Sequence, residues 1–162
     1  MGAADFLLGV CESWMTPALF LSVTFIAGAV ISFFTGSSWG TFAICIPIAV
    51  PMAYSFTGGQ LGTLVYAAVG AVVSGGLFGD QCSPISDTTV MSSTGASCNH
   101  VVHVMTQLPY GITVGVSAFI GFLFGGLSGQ YILSIGVTAV ILLIALFALT
   151  KLSRIRHPEV IH

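Results

Sequence analysis

Two carboxylates stand in the middle of this chain in a long region that carries no other formal charge. Asp80 and Asp87 are the only acidic residues between Glu12 and Glu159, and no Lys or Arg occurs before position 151. A carboxylate at the centre of a bilayer costs about 2.5–3.5 kcal/mol on insertion scales. Two carboxylates seven positions apart in an apolar sequence therefore indicate a functional site rather than two incidental surface charges.

Hydroxyl side chains accompany the two carboxylates. A Na⁺ ion that has lost its water shell needs oxygen ligands, and unwound backbone carbonyls in transporters supply further ones. Burial favours the protonated form of a carboxylate, since the charged form loses solvation. A proton and Na⁺ would then compete for the same oxygens, which is the minimum requirement for antiport. The predicted ion-binding residues are Asp80, Asp87, Ser83, Ser86, Thr88 and Thr89.

Two other interpretations of this region stay open. Asp80 and Asp87 could cap short helices at a hydrated loop instead of binding an ion. A zinc site would use Cys82, Cys98, His100 and His103, but the paired Cys-x₂-Cys spacing of zinc sites is missing. Residues 36–40 have Gly-x-Ser-x-Gly spacing, but they lie between two predicted membrane spans and not at the strand-to-helix turn that the nucleophile motif requires. The sequence therefore predicts no enzyme, no resident metal beyond Na⁺ and no cofactor.

Composition sets the fold class. Of the 162 residues, 56% are hydrophobic and 5% are charged, against about 25% charged in a soluble domain. A membrane span needs about 20 apolar residues, which predicts an all-α membrane protein embedded in the lipid bilayer. The absence of a basic patch excludes nucleic acid as a partner. About five transmembrane helices are predicted, at 17–34, 42–56, 61–78, 101–124 and 131–150.

Two polar segments interrupt these spans. The first, 35–41, combines two glycines with four hydroxyls, so it is either a helix break at membrane depth or a loop with Ser37 or Ser38 as a helix cap. Pro47 and Pro51 are expected to kink or break the helix that follows. If the first segment lies opposite the carboxylates, it forms a second wall of the ion site. That wall would consist of Thr35, Ser37, Ser38 and Thr41.

The second polar segment, 79–99, is too long for an unstructured loop inside a compact domain. We expect a re-entrant or discontinuous helix here, broken at Ser83-Pro84. A half-helix would start at 88–91, capped by Ser86 or Asp87.

The predicted fourth span opens with polar residues on one helical face. His100, His103, Gln107 and Tyr110 are spaced three, four and three apart. His100, His103 and Gln107 could relay protons, since histidine titrates near neutrality; hydrogen bonding between helices is the alternative. At the other end of the chain, the three basic residues in 151–162 predict a short cytoplasmic tail by the positive-inside rule.

Two stretches resemble signatures of the NhaC-type Na⁺/H⁺ antiporter family. The first is TGSSWGTFAI at 35–44 with PIAVP at 47–51, and the second is FGDQCSPISDTT at 78–89. The resemblance covers about residues 17–125 and implies Na⁺/H⁺ exchange across a prokaryotic plasma membrane. It implies that Asp80 and Asp87 are the ion-linked carboxylates, with the neighbouring hydroxyls as supporting ligands.

Members of that family are several times longer, so the resemblance implies that residues 1–162 form the C-terminal membrane domain of a longer antiporter. An inverted-repeat transporter places its site between two halves. The expected partners are therefore Na⁺, H⁺ and the N-terminal half of the transporter or a partner subunit. Two alternatives are a Na⁺- or H⁺-coupled exchanger of a small organic acid or amino acid, and a membrane subunit without transport of its own. The lack of Lys and Arg in the spans favours a bare cation as the cargo.

Overall fold

The structure is a computed structural model that describes residues 15–156, and every regular element in that range is an α-helix. This described part contains six helices: α1 (Pro17–Thr35), α2 (Ser38–Phe56), α3 (Thr63–Cys82), α4 (Asp87–Gly95), α5 (His100–Ser128) and α6 (Tyr131–Arg156). Among them, α2, α3, α5 and α6 are long and apolar enough to cross a membrane, and the apolar part of α1, Leu19–Thr35, is slightly shorter. The predicted all-α membrane fold with about five spans is confirmed.

Residues Gly36 and Ser37 separate α1 from α2, and we call them the α1–α2 break. Gly36 ends α1 in the left-handed region, with φ of 66°, a conformation that glycine adopts without a steric cost. The Ser37 hydroxyl then accepts a hydrogen bond from the Gly40 N–H and so caps α2. The predicted interruption is therefore a tight turn with a serine cap.

Helix α2 runs continuously from Ser38 to Phe56 through Pro47 and Pro51. These prolines were expected to kink or break the helix; the break is wrong, and the kink stays a prediction. In membrane helices, neighbouring helices and local adjustments satisfy the backbone groups that a proline leaves free, so the helix can continue.

Helices α1 and α3 form the centre of the bundle, because two glycines of α3 let the backbones touch. A Cβ atom at Gly75 would overlap the Phe25 carbonyl of α1, and one at Gly79 would overlap the Ala29 carbonyl. Close approach of small residues is how membrane helices gain packing energy. Buried Leu21 on α1 and Val72 on α3 extend this core along the helix pair. The contact places the end of α3 beside the end of α1.

Residues 83–86 separate α3 from α4, and we call them the α3–α4 break. Helix α4 has nine residues, which is too short to span a bilayer at 1.5 Å per residue. The predicted discontinuous helix is thus present, and its second part starts at Asp87, one residue before the predicted 88–91. Helix α6 continues through Arg156, beyond the predicted span. Residues 157–162 of the predicted tail lie outside the described residues.

Candidate ion-binding site

The carboxylate of Asp80 lies in the last turn of α3 and is 7% exposed. Its Oδ1 accepts a hydrogen bond of 2.8 Å from the Ser86 hydroxyl. Its Oδ2 accepts bonds of 3.3 Å from the Ser38 hydroxyl and 3.4 Å from the Thr88 hydroxyl. The three donors come from the α3–α4 break, from α2 and from α4. Three separate segments therefore converge on one buried carboxylate.

Within residues 15–156, the side chains that hydrogen-bond to this carboxylate are all neutral hydroxyls. No Lys or Arg lies in the chain before position 151, so the hydroxyls supply the only side-chain donors seen around Asp80 in the described part of the chain. The start of α4 adds a favourable field, since the N-terminus of a helix carries partial positive charge. Ser86 occupies the N-cap position of α4, yet its side chain makes no capping bond to that helix. It donates to Asp80 instead, so the side chain at the cap position contacts the candidate site and not the end of its own helix.

The two helix breaks are in direct contact. The Ser83 hydroxyl donates a bond of 2.7 Å to the carbonyl of Phe33 in the last turn of α1. The same hydroxyl accepts a bond of 3.3 Å from the Ile85 N–H. Gly36 packs against the Ile85 carbonyl, which would lie 2.7 Å from a Cβ at position 36. Ser83 is therefore placed to join the breaks, and its hydroxyl is engaged with backbone rather than with Asp80.

Of the predicted second wall, Ser38 alone reaches the Asp80 carboxylate within the described residues. Ser37 caps α2, and the Thr41 hydroxyl donates to the Ser37 carbonyl at 2.9 Å. The Thr35 hydroxyl lies 3.5 Å from the carbonyls of Ser32 and Ser37. The wall as a whole shapes the α1–α2 break, and Ser38 is its point of contact with the carboxylate.

Asp87 and Thr89 stand apart from the Asp80 cluster. Asp87 is the first residue of α4 and is exposed. No hydrogen bond of the described residues involves its carboxylate. Thr89 is 3% exposed, and its hydroxyl makes no hydrogen bond to Asp80 among those of the described chain. Their role as ion ligands stays a prediction.

The predicted relay face of α5 points at the α3–α4 break and at α4. The Gln107 side chain donates to the Gln81 carbonyl at 2.5 Å. His100 Nε2 lies 2.7 Å from the Pro84 carbonyl oxygen. On the other side of the ring, His100 Nδ1 lies 3.0 Å from the Ser93 hydroxyl, and His103 Nε2 lies 3.2 Å from the Ser92 hydroxyl.

Sequence reasoning missed Ser92 and Ser93 as partners of the histidines. A signal was available, because Ser93 follows the predicted ligand Thr89 by four positions and so shares its helical face. The described residues contain no group of three or more His, Cys, Asp or Glu side chains that could hold a metal ion. The alternative zinc site is therefore not assembled from Cys82, Cys98, His100 and His103 in the structure.

A bundle of apolar helices with a buried carboxylate at a helix break has the architecture of a secondary transporter. The family model of the Na⁺/H⁺ antiporter family matches residues 1–127. The chain belongs to this family, which confirms the resemblance drawn from the two signatures. It is accordingly a membrane protein of an antiporter family.

Two relatives of named function are antiporters. The chain is 35% identical to the malate-2H⁺/Na⁺-lactate antiporter of Bacillus subtilis over 115 residues, 68% of this chain and 24% of that protein. It is 34% identical to the Na⁺/H⁺ antiporter NhaC of Alkalihalophilus pseudofirmus over 125 residues, 74% of this chain and 26% of that protein.

An uncharacterized protein of Haemophilus influenzae is 45% identical over 136 residues, 83% of this chain and 25% of that protein. The chain thus spans about a quarter of the length of the curated relatives that it matches. No solved structure matches it significantly.

Proposed function

We propose that Asp80 is the carboxylate at which Na⁺ and H⁺ compete in a Na⁺/H⁺ antiporter. One observation carries the proposal: a buried carboxylate receives three hydroxyls from three different segments, and no Lys or Arg occurs before position 151 to neutralise it. A permanent partner such as Arg would hold the carboxylate ionised and leave a cation little to gain. Asp80 has no such partner among the residues that the structure describes, so a proton or a metal cation is the natural neutralising group.

The hydroxyls suit both states of such a site, because each can donate one hydrogen bond and accept others. In the ionised state of this proposal, Ser38, Ser86 and Thr88 donate to Asp80. When Na⁺ enters, the same hydroxyls can turn their lone pairs toward the ion. When a proton binds instead, it sits on a carboxylate oxygen and removes the charge that attracts Na⁺. One carboxylate cannot hold both cations at full strength, which couples their movements.

The described residues supply this ion site with one carboxylate, that of Asp80, and with three hydroxyls. We propose that the remaining ligands come from the rest of the transporter, since the chain spans about a quarter of its relatives. Asp87 is exposed, and in this proposal it faces that missing part and acts as a second ion-linked carboxylate. The protein would work in a prokaryotic plasma membrane with its C-terminus in the cytoplasm. It would need no cofactor.

A second function is exchange of an organic acid coupled to the cation, as the name of the malate-2H⁺/Na⁺-lactate antiporter of Bacillus subtilis indicates for that relative. The absence of Lys and Arg from the spans favours the bare cation, because an anionic substrate would lack a cationic partner in this chain. An assay that supplies and omits the organic acid separates the two functions.

The test is ²²Na⁺ uptake driven by an imposed pH gradient, with the complete gene product in proteoliposomes. Asp80→Asn keeps the shape and removes the charge, so we expect uptake to fall at least about tenfold, the loss of a strong charge-dependent contact. Gln81→Asn, at the exposed neighbouring position, is the matched control and should transport normally. Uptake that survives Asp80→Asn unchanged contradicts the proposal. Uptake that requires added malate, lactate or an amino acid selects the second function.

A further inference from the structure

The end of α3 creates a problem that any helix break in a membrane must solve. The last four carbonyls of a helix have no partner within the helix. In a bilayer each unsatisfied backbone group costs several kcal/mol, so an interrupted helix is tolerated only where other groups satisfy it. The carbonyls of Gln81 and Pro84 lie at this point, just before and within the α3–α4 break.

Two side chains of α5 donate to these carbonyls. Gln107 Nε2 bonds to the Gln81 carbonyl at 2.5 Å, and His100 Nε2 bonds to the Pro84 carbonyl at 2.7 Å. A carbonyl only accepts, so the proton in the second bond belongs to Nε2 of the ring. The two donors are seven positions apart, about two helical turns, and so lie on the same face of α5. One face of one helix therefore satisfies carbonyls at the end of α3 and within the α3–α4 break.

His100 also ties the break to the helix that follows it. Its Nδ1 lies 3.0 Å from the hydroxyl of Ser93, which is 2% exposed and lies on α4. The imidazole ring thus joins three segments: α5, the α3–α4 break and α4. Ser86 belongs to that break and Thr88 to the first turn of α4, and both donate to Asp80. Pro84 and Ser93, the partners of the ring, lie on the same two segments as Ser86 and Thr88. A shift of these segments therefore changes the direction of the two hydroxyls that donate to Asp80.

We propose that His100 and Gln107 are positioning residues for the ion site. They hold the freed carbonyls of the α3–α4 break and thereby keep Ser86 and Thr88 aimed at Asp80. The proposal rests on the assignment of Asp80 as the ion-linked carboxylate. It requires only N–H donors at positions 100 and 107, and no movement of protons along α5.

The variants test whether the side chains at positions 100 and 107 must donate a hydrogen bond. His100→Met and Gln107→Met keep a long side chain and remove the N–H group, whereas His100→Gln keeps a donor. Tyr110→Phe is the matched control, because Tyr110 follows on the same face, is exposed and makes no hydrogen bond among the described residues. All variants are made in the complete gene product, checked for folding by size exclusion and assayed for Na⁺ uptake in proteoliposomes.

Each Met variant should raise the Na⁺ concentration for half-maximal uptake about tenfold, the loss expected for a misplaced charge-linked hydrogen bond. The maximal rate should stay within about twofold, because the carboxylate itself is unchanged. His100→Gln should restore the half-maximal concentration to within about twofold or threefold of the wild type. A merely structural role would lower the amount of folded protein and leave the half-maximal concentration of the remainder unchanged.

An unchanged half-maximal concentration in a folded Met variant overturns the proposal. If His100→Met does not fold, Gln107→Met carries the same test with the same two outcomes. Failure of the underlying function is recognised separately: in that case Asp80→Asn also transports normally. Loss of uptake in Asp80→Asn together with insensitivity to both Met variants refutes the positioning role alone.

Discussion

The hydroxyl of Ser38 donates a hydrogen bond of 3.3 Å to the carboxylate of Asp80, 42 positions further along the chain. Ser38 is the first residue of α2 and Asp80 lies in the last turn of α3. The bond therefore joins the start of α2, directly after the α1–α2 break, to the end of α3, shortly before the α3–α4 break. Ser38 is the side chain through which the start of α2 takes part in the candidate ion site.

Replacing Ser38 with Ala should weaken the binding of Na⁺. The variant removes one hydroxyl from Asp80, and hydrogen bonds to charged groups contribute about 1.5–3 kcal/mol. We expect the Na⁺ concentration for half-maximal uptake to rise at least about tenfold. Thr41→Val is the control, because the buried Thr41 hydroxyl donates to the Ser37 carbonyl and not to the carboxylate. Equal effects of the two variants would show that Ser38 acts only through local structure.

The contact between the breaks can be isolated with two glycines that share one backbone conformation. Gly36 has φ of 66° and Gly58 has φ of 65°, so alanine at either position pays about 1–2 kcal/mol for the left-handed conformation. At position 36 the added Cβ would also lie 2.7 Å from the Ile85 carbonyl oxygen, whereas at position 58 nothing lies within 4 Å. Gly36→Ala should therefore be more destabilising by about 1–3 kcal/mol, the usual cost of overpacking.

Thermal unfolding of the complete gene product in detergent measures this difference. Gly36→Ala should unfold at a clearly lower temperature than Gly58→Ala. Coinciding transitions for the two variants would show that the breaks are not packed together as the structure has them.

Two buried serines near the breaks should respond to alanine in opposite directions. The Ser83 hydroxyl donates to the Phe33 carbonyl at 2.7 Å, and its removal leaves that buried acceptor without this donor, at about 1–3 kcal/mol. The Ser32 hydroxyl is 0% exposed and has no hydrogen-bond partner among the described residues. Its removal abolishes an unsatisfied polar group, so Ser32→Ala should be neutral or slightly stabilising. The midpoint of thermal unfolding for the two variants checks this, and a larger loss for Ser32→Ala would reverse the argument.

The sequence was sufficient to predict the carboxylates, the surrounding hydroxyls and the discontinuous helix. It could not predict which hydroxyls meet Asp80. Spacing defines a face only along an unbroken helix, and a break of four residues redirects the chain. Asp87 shows the consequence: it lies seven positions from Asp80, yet it is exposed at the start of α4. Ser86 and Thr88, which flank it, both turn toward Asp80.

The sequence also did not reveal which residues far apart along the chain contact one another. The spacing of His100 and Gln107 predicted a shared face of α5, and the structure has both donors on that face. Their acceptors are backbone carbonyls of Gln81 and Pro84, which no pattern of side chains can reveal. Similarly, Ser38 could not be separated from its neighbours Ser37 and Thr35 without the angle at which α2 leaves the α1–α2 break.

The closest approach of α1 and α3 gives the last prediction. Gly79 immediately precedes Asp80, and a Cβ atom at this position would overlap the backbone carbonyl of Ala29 on α1. A backbone atom cannot move aside as a side chain can, so Gly79→Ala must push the two helices apart and with them the end of α3. Gly70→Ala is the matched control on the same helix, since its Cβ would meet only the ring of Phe122, at 4.0 Å. We expect Gly79→Ala to lose about 1–3 kcal/mol or more of stability and to lose Na⁺ uptake, and Gly70→Ala to behave as the wild type in both measurements. Normal stability and uptake in Gly79→Ala would mean that α1 and α3 do not approach as closely as the structure indicates.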